Sequence, residues 1–220
     1  MEIEKNINNI KNIIGNYCRL VAISKTKPVE LILEAYNSGQ RIFGENKVQE
    51  LEEKHLLLPK DIQWHMVGHL QTNKVKYIAP FITLIHSVDS EKLLKEINKQ
   101  ALKNNRTIDV LFQVYIANET TKFGWDKDEL LEFLRSEKIL QYKNINIAGL
   151  MGMATNTDDL KTIRTEFRSL KNLFEFIRNN FSLANMDLKE ISMGMSGDYK
   201  IAVEEGSTLV RVGSSIFGSR

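Results

Sequence analysis

Cysteine, proline and long apolar runs are scarce in this sequence of 220 residues. The one cysteine, Cys18, excludes an intramolecular disulfide, and its position before an apolar run favours a small core residue over a reactive thiol. With three prolines and no low-complexity stretch, nothing marks a domain boundary, so we predict one domain over residues 1–220. No segment is long enough to span a bilayer, and the N-terminus lacks the apolar stretch of a signal peptide. The expected compartment is the cytoplasm, with no membrane partner.

Charge of one sign is also lacking, because 30 lysines and arginines oppose 28 acidic residues and leave a formal charge of +2. This balance gives no electrostatic case for nucleic acid as a partner. The sequence lacks GxGxxG after a strand, GxxxxGK[ST], HExxH and cysteine pairs with metal-ligand spacing, so we predict no metal site. His65 and His69 are four residues apart across a predicted strand–loop junction, where hydrogen-bonded histidines are favoured over metal ligands.

What the sequence does contain is a regular alternation of short apolar segments and amphipathic ones. A helix with isoleucines on one face is predicted at 3–17, before the first strand. The predicted strands are 20–23, 41–43, 63–67, 84–87, 109–116, 145–151, 190–193 and 209–212. Each is followed by a helix or a helix start, which implies a parallel sheet. Eight such units fit a closed (β/α)8 barrel (a TIM barrel) with an extra N-terminal helix, and an open doubly wound sheet is the alternative.

Glycine and serine follow the last two predicted strands, at 194–197 and 213–215. Function in a barrel of this kind lies at the carboxyl ends of the strands, and the loops after strands seven and eight commonly bind phosphate. Free backbone N–H groups before a helix favour an anion there. The alternative is N-capping of the helices by Ser196 and Ser214. Two such loops in adjacent positions favour a phosphate site.

Two cations occupy positions where charge is unexpected. Lys25 follows the first strand on the same face as the apolar residues before it, so we expect it to point inward at the barrel mouth. Burial and nearby positive charge lower the pKa of an amine, as a Schiff-base lysine requires; a solvated lysine is the alternative, and Lys27 competes for the role. Arg211 lies inside an apolar strand, where it needs either a ligand or an ion pair with a barrel carboxylate.

These residues lie in a set of motifs that occur in order from about residue 20 to residue 218. The motifs are VAISKTKP, FGENKVQE, WHMVGHLQTNK, GLMGM, SMGMSGDY and GSTLVRVGSSIFG. Together they resemble the pyridoxal-phosphate homeostasis protein family, and six motifs in register make the resemblance specific. The resemblance implies the barrel of the alanine racemase N-terminal domain, which agrees with the eight units above. It also implies pyridoxal 5'-phosphate as the cofactor.

The resemblance carries a set of cofactor-binding residues onto this sequence: Lys25, Asn46, Ser196, Arg211, Gly213 and Ser214. Lys25 is then the Schiff-base lysine, Asn46 lies beside the cofactor ring, and Arg211 faces the pyridine nitrogen. The remaining three hold the phosphate. Lys122 matches another lysine of the family whose role is less clear, and the methionines near the ends of the sixth and seventh strands line a flat ring or fill the core.

Arg211 can only donate to the pyridine nitrogen, which weakens the cofactor as an electron sink. We therefore predict a binding protein, not an enzyme, that maintains intracellular pyridoxal phosphate (vitamin B6) levels, with no catalytic residues. The alternative is an amino-acid racemase of low activity, which needs a second base for which Tyr199 is the nearby candidate. A third hypothesis is a barrel that binds another phosphate-containing ligand and not this cofactor, which requires Lys25 to be unreactive. Pyridoxal-phosphate-dependent apoenzymes are candidate recipients. A monomer is expected, although the sequence does not decide between monomer and dimer.

Overall fold

The computed structural model describes residues 2–117 and 123–218, without the side chain of Glu137. Eight parallel strands pair in chain order, and the last pairs with the first to close a barrel. The strands are β1 (Arg19–Ile23), β2 (Ile42–Glu45), β3 (Gln63–Met66), β4 (Leu84–Val88), β5 (Ile108–Gln113), β6 (Ile145–Met151), β7 (Met186–Ser192) and β8 (Leu209–Val212). The predicted closed barrel is confirmed, and the open-sheet alternative is wrong.

Helices surround the sheet, and at least one follows every strand within the described residues. They are α1 (Glu2–Ile14), α2 (Val29–Asn37), α3 (Val48–Leu57), α4 (Val75–Ile78), α5 (Glu91–Lys103), α6 (Lys127–Arg135), α7 (Leu160–Asn180), α8 (Tyr199–Glu204) and α9 (Ser214–Phe217). Two 3₁₀ turns, Thr72–Lys74 and Glu137–Gln141, precede α4 and follow α6. The extra N-terminal helix is confirmed as α1. No described helix is long and apolar enough to cross a membrane.

The strand alternation divides the core into two layers. Side chains that point outward from the strands, such as Leu20 and Ala22, pack with the helices into the main core. Inward-pointing Val21 belongs to a much smaller apolar cluster inside the barrel. The rest of the interior includes buried polar side chains, which the site below uses. Cys18 is buried at 4% exposure, as predicted for a core residue.

Two strand boundaries differ from the prediction by more than two residues. β5 ends at Gln113 and not at residue 116, because Val114 leaves the sheet ladder to form an isolated bridge with Trp125. β7 begins at Met186 and not at residue 190. Its first residues alternate between half-buried and exposed at the edge of the barrel, so they lack the apolar run by which the later part was recognised.

Candidate functional site

A cavity of about 330 Å³ opens at the carboxyl ends of the strands. Six of its lining residues are those that the motifs carried over: Lys25, Asn46, Ser196, Arg211, Gly213 and Ser214. The structure therefore brings together side chains from the ends of β1, β2, β7 and β8. Gly197, from the predicted phosphate-binding stretch 194–197, also lines the cavity. Thr26, Val67 and Gly218 line it as well and were not singled out from the sequence, because no pattern distinguishes them from their neighbours.

Lys25 lies in the turn that follows β1, where its partly buried side chain lines the cavity. The next residue, Thr26, has a φ of 63°, a backbone conformation that disfavours a β-branched side chain. Its N–H donates to Glu50 Oε2 at 2.7 Å, which holds the turn against α3. Lys27 also lines the cavity, and its Nζ donates to two carbonyls at the end of α9, at 3.1 and 3.2 Å.

A buried polar cluster of Ser24, Glu45 and Lys54 supports the same turn from behind. Glu45 Oε1 accepts from Ser24 Oγ at 2.6 Å and from Lys54 Nζ at 2.7 Å, and Lys54 Nζ also donates to the Ser24 carbonyl at 2.8 Å. Burial raises the pKa of Glu45, while the Lys54 ammonium and the Ser24 hydroxyl oppose the shift. Glu45 Oε2 has no hydrogen-bond partner among the described residues. This cluster, which the sequence did not reveal, fixes the residue before Lys25.

The loops after β7 and β8 meet at the cavity beside the end of β1, the strand that pairs with β8. Ser196 Oγ accepts a hydrogen bond from the Gly213 N–H at 3.3 Å, which ties the two loops together. The N-cap positions of α8 and α9 are occupied by Asp198 and Gly213, so the capping alternative for Ser196 and Ser214 is wrong. Within the described residues, the N–H groups of Ser196 and Ser214 donate no hydrogen bond. Both remain available to an anion.

Arg211 is buried at 5% exposure at the base of the cavity. Its Nη1 donates to Ser192 O at 2.8 Å and Ser192 Oγ at 2.6 Å, and its Nη2 donates to Gly152 O at 3.1 Å. It forms no ion pair with a described carboxylate, so that alternative is wrong. Burial lowers the pKa of Arg211 to about 10, with Asp198 opposing the shift, so the guanidinium stays charged at neutral pH. Among the described residues, three of its five N–H groups find acceptors, which leaves two for a ligand.

The two histidines of the WHMVGH segment have different environments. His65 is buried, and its Nδ1 lies 2.9 Å from His86 Nε2, whereas His69 is exposed and lies 3.2 Å from Asp89. Burial lowers the pKa of His65 to about 3. No three potential metal-ligating side chains of the described residues lie together. His65 is thus a hydrogen-bonded core residue, which was the favoured prediction.

The four methionines near the ends of β6 and β7 divide between the two predicted roles. Met153 and Met195 line the cavity, with 42% and 40% of their surface exposed. Met151 and Met193 are buried in the core. Tyr199, the candidate second base, is buried in α8 and is not among the residues that line the cavity. Lys122 lies outside the described residues.

Comparison with known proteins places this barrel in a family. The family model of the alanine racemase N-terminal domain matches residues 1–220. The pyridoxal phosphate homeostasis protein of Aquifex aeolicus is 41% identical over 93% of this chain and 88% of its own, and the human protein of that name is 38% identical over 92% and 76%.

Solved structures agree with this placement. PipY of Synechococcus elongatus, determined with PLP bound, superposes with a TM-score of 0.88 at 32% identity and covers 98% of this chain and 100% of its own. Alanine racemase from Bartonella henselae, at 16% identity, covers 99% of this chain and 58% of its own with a TM-score of 0.76, which shows the shared fold alone. On these matches, the chain belongs to the pyridoxal phosphate homeostasis protein family, built on the barrel of the alanine racemase N-terminal domain.

Proposed function

We propose that this protein binds pyridoxal 5'-phosphate in the cavity at the barrel mouth and serves in the intracellular homeostasis of that cofactor. One observation carries the proposal. The same cavity is lined by a primary amine on Lys25, by Arg211, which has two N–H groups without a described acceptor, and by two serine–glycine loops. Membership of the family and the PLP-bound structure of its relative PipY support it.

The groups on the cavity wall fit the chemistry of the cofactor. When bound, pyridoxal phosphate supplies an aldehyde that condenses with a primary amine and a ring that withdraws electrons. Lys25 provides the amine, and Arg211 provides donors for the ring nitrogen, which is an acceptor. Ser196 and Ser214 offer hydroxyl and backbone N–H donors to a phosphate. Apolar side chains of the wall suit a flat ring, and about 330 Å³ lies within the usual size of a small-molecule pocket.

The side chains that line the cavity also favour cofactor binding without strong catalytic activity. Arg211 has no acceptor to offer and keeps its proton, so it cannot protonate and activate the ring nitrogen as a carboxylic acid would. Racemisation needs a base on each face of the substrate carbon. Among the described cavity residues, the side chains that can accept a proton are Lys25 and Lys27, and carbonyls at the end of α9 hold the latter. The relatives carry the name of homeostasis proteins, and the racemase likeness concerns the fold, so a low-activity racemase is the less supported function.

We also propose that the protein is a cytoplasmic monomer of one domain, residues 1–220. In this role it passes the cofactor to apoenzymes that depend on it. Met153 and Met195 line the cavity and are exposed, which supports transfer, because an acceptor can approach the cavity there. Light scattering during size-exclusion chromatography tests the monomer. Activation of an apo-transaminase by the loaded protein, compared with an equal amount of free cofactor, tests transfer.

The experiment that tests binding compares wild type with Lys25→Ala and Lys25→Arg after addition of pyridoxal phosphate and removal of the excess. The arginine variant is the matched control, because it keeps the positive charge and lacks a nucleophilic amine. We expect a visible absorbance band in wild type, its loss on borohydride reduction, and a mass increment that fragmentation assigns to Lys25 and not to Lys27. Both variants should lack the band. A wild type without the band, or a modified Lys27 in its place, would refute the proposal.

A further inference from the structure

A line of hydrogen bonds runs from Arg211 into the interior of the barrel, away from the cavity. Ser192 Oγ lies 2.6 Å from Arg211 Nη1 and 2.8 Å from His86 Nδ1, and His86 Nε2 lies 2.9 Å from His65 Nδ1. We call Ser192, His86 and His65 the interior chain. All three are buried, and none lines the cavity.

The direction of each hydrogen bond follows from the donors available. Arginine only donates, so Ser192 Oγ accepts from Arg211. The one hydroxyl proton of Ser192 must then go to His86 Nδ1, the other described group within reach. In the reverse arrangement, with His86 Nδ1 as donor, that buried hydroxyl proton would have no described acceptor, which is costly. Nδ1 of His86 is therefore unprotonated, and its Nε2–H donates to His65 Nδ1.

Both histidines must stay neutral for this arrangement to hold. A protonated His86 would donate from Nδ1, compete with the Ser192 hydroxyl and place a second cation near Arg211. Burial and the charges of Arg211 and Arg19 lower the pKa of His86 well below its ordinary value, which agrees with a neutral ring. Neutral oxygen atoms, and not a carboxylate, thus accept the hydrogen bonds of the guanidinium. Ser192 of the interior chain supplies two of these three oxygens, its carbonyl and its hydroxyl.

We infer that His86, acting through Ser192, is a positioning residue that holds the Arg211 guanidinium in the orientation in which it lines the cavity, and that His65 fixes the tautomer of His86. This inference rests on the proposed function, since Arg211 is one of the proposed cofactor ligands. His86 is not among the residues that line the cavity. Its effect on binding therefore passes through the Ser192 hydroxyl.

Two substitutions separate this role from simple packing. In His86→Asn, Oδ1 stands the same number of bonds from Cβ as Nδ1 does and can still accept from Ser192. In His86→Leu, a methyl group stands there, and the hydroxyl loses its acceptor. We expect pyridoxal phosphate affinity to fall about tenfold in the leucine variant and by no more than about threefold in the asparagine variant. A Ser192 hydroxyl that turns to another acceptor no longer accepts from Arg211, and a hydrogen bond to that charged group corresponds to about one order of magnitude. His69→Leu, which changes an exposed histidine, should leave the affinity unchanged.

A role in packing alone predicts the opposite order, because leucine fills an apolar site whereas asparagine buries an amide with unmet hydrogen bonds. Equal affinities in wild type and His86→Leu, or weaker binding by His86→Asn than by His86→Leu, would overturn the inference. If wild type itself fails to bind pyridoxal phosphate, the proposed function fails instead, and the two failures are thereby distinguished.

A measurement on the free protein avoids dependence on folding of the variants. The sequence has four histidines, so the ¹⁵N spectrum of histidine-labelled protein is simple to assign. We expect His65 and His86 to be neutral at pH 6, each with its proton on Nε2. A proton on Nδ1 of His86, or titration of its ring near the ordinary pKa, would contradict the assigned direction of the chain.

Discussion

Replacing Lys54 by methionine removes the ammonium that pairs with Glu45 behind the Lys25 turn and keeps most of the side-chain volume. The Glu45 side chain is fully buried, and the Lys54 side chain retains 8% of its exposure. Lys54→Met therefore leaves a buried carboxylate with only the Ser24 hydroxyl as partner. Removing one partner of a buried ion pair costs about 3–5 kcal/mol, since the remaining charge stays desolvated without compensation. This is a large share of a typical unfolding free energy of about 5–15 kcal/mol.

The double variant Glu45→Gln/Lys54→Met removes both charges, and its glutamine can still hydrogen-bond to Ser24. We expect it to lie within about 2 kcal/mol of wild type, because replacing both members of a buried pair is often nearly neutral. The two substitutions should thus be far from additive. Urea unfolding followed by tryptophan fluorescence gives the free energies, provided that the m-values agree. The loss of unfolding free energy in Lys54→Met should also become smaller as the pH falls towards 5. The unpaired Glu45 carboxyl has a raised pKa in the folded protein, so it takes up a proton there at a higher pH than in the unfolded chain.

Lys99→Met serves as the control, since Lys99 pairs with Glu96 at 3.4 Å on the surface with 59% of its side chain exposed. An exposed pair of this kind contributes about 0–1 kcal/mol. The buried pair does not hold the turn as described if Lys54→Met lowers the free energy of unfolding no more than Lys99→Met does. The same conclusion follows if the effects of Glu45→Gln and Lys54→Met add up in the double variant. In either case other contacts hold the Lys25 turn, among them the hydrogen bond from the Thr26 N–H to Glu50.

Three further predictions concern other parts of the barrel. Gly149→Ala should prevent accumulation of folded protein, measured as soluble yield and melting temperature, because an added Cβ would lie 1.7 Å from the Glu190 carbonyl oxygen; an alanine variant as stable as wild type would contradict this. The unfolding free energy should fall as the pH drops from about 6.5, since the lowered pKa of His86 lets only the unfolded chain take up that proton, at about 1.4 kcal/mol per pH unit. Urea titrations between pH 7 and pH 5 give the slope of the unfolding free energy against pH. This slope should be smaller by one proton in His86→Leu than in wild type, and equal slopes would refute a neutral, buried His86 ring. Cys18, whose pKa burial raises to about 11, should react with iodoacetamide at pH 8 only after unfolding, and rapid labelling of the native protein would show that it is accessible.

The sequence by itself determined the barrel and most of the cavity wall. Eight apolar segments alternate with amphipathic ones, and a parallel barrel buries each such strand on both sides, so the periodicity shows in the amino-acid order. Lys25 and Arg211 stand out for a related reason, because a charge at the end of or inside an apolar strand is conspicuous. At the start of β7, where burial is partial, the apolar pattern did not extend to the first residues of the strand.

Only the tertiary structure decided what supports these residues. His86 and Ser192 are 106 positions apart, and Lys54 and Ser24 are 30 apart, yet each pair shares a hydrogen bond. No local pattern encodes such contacts, because they depend on which strand ends and helix faces the closed barrel brings together. The choice between an ion pair and neutral partners for Arg211 was likewise left to the fold, since charge alone shows that a partner is needed and not which atoms provide it.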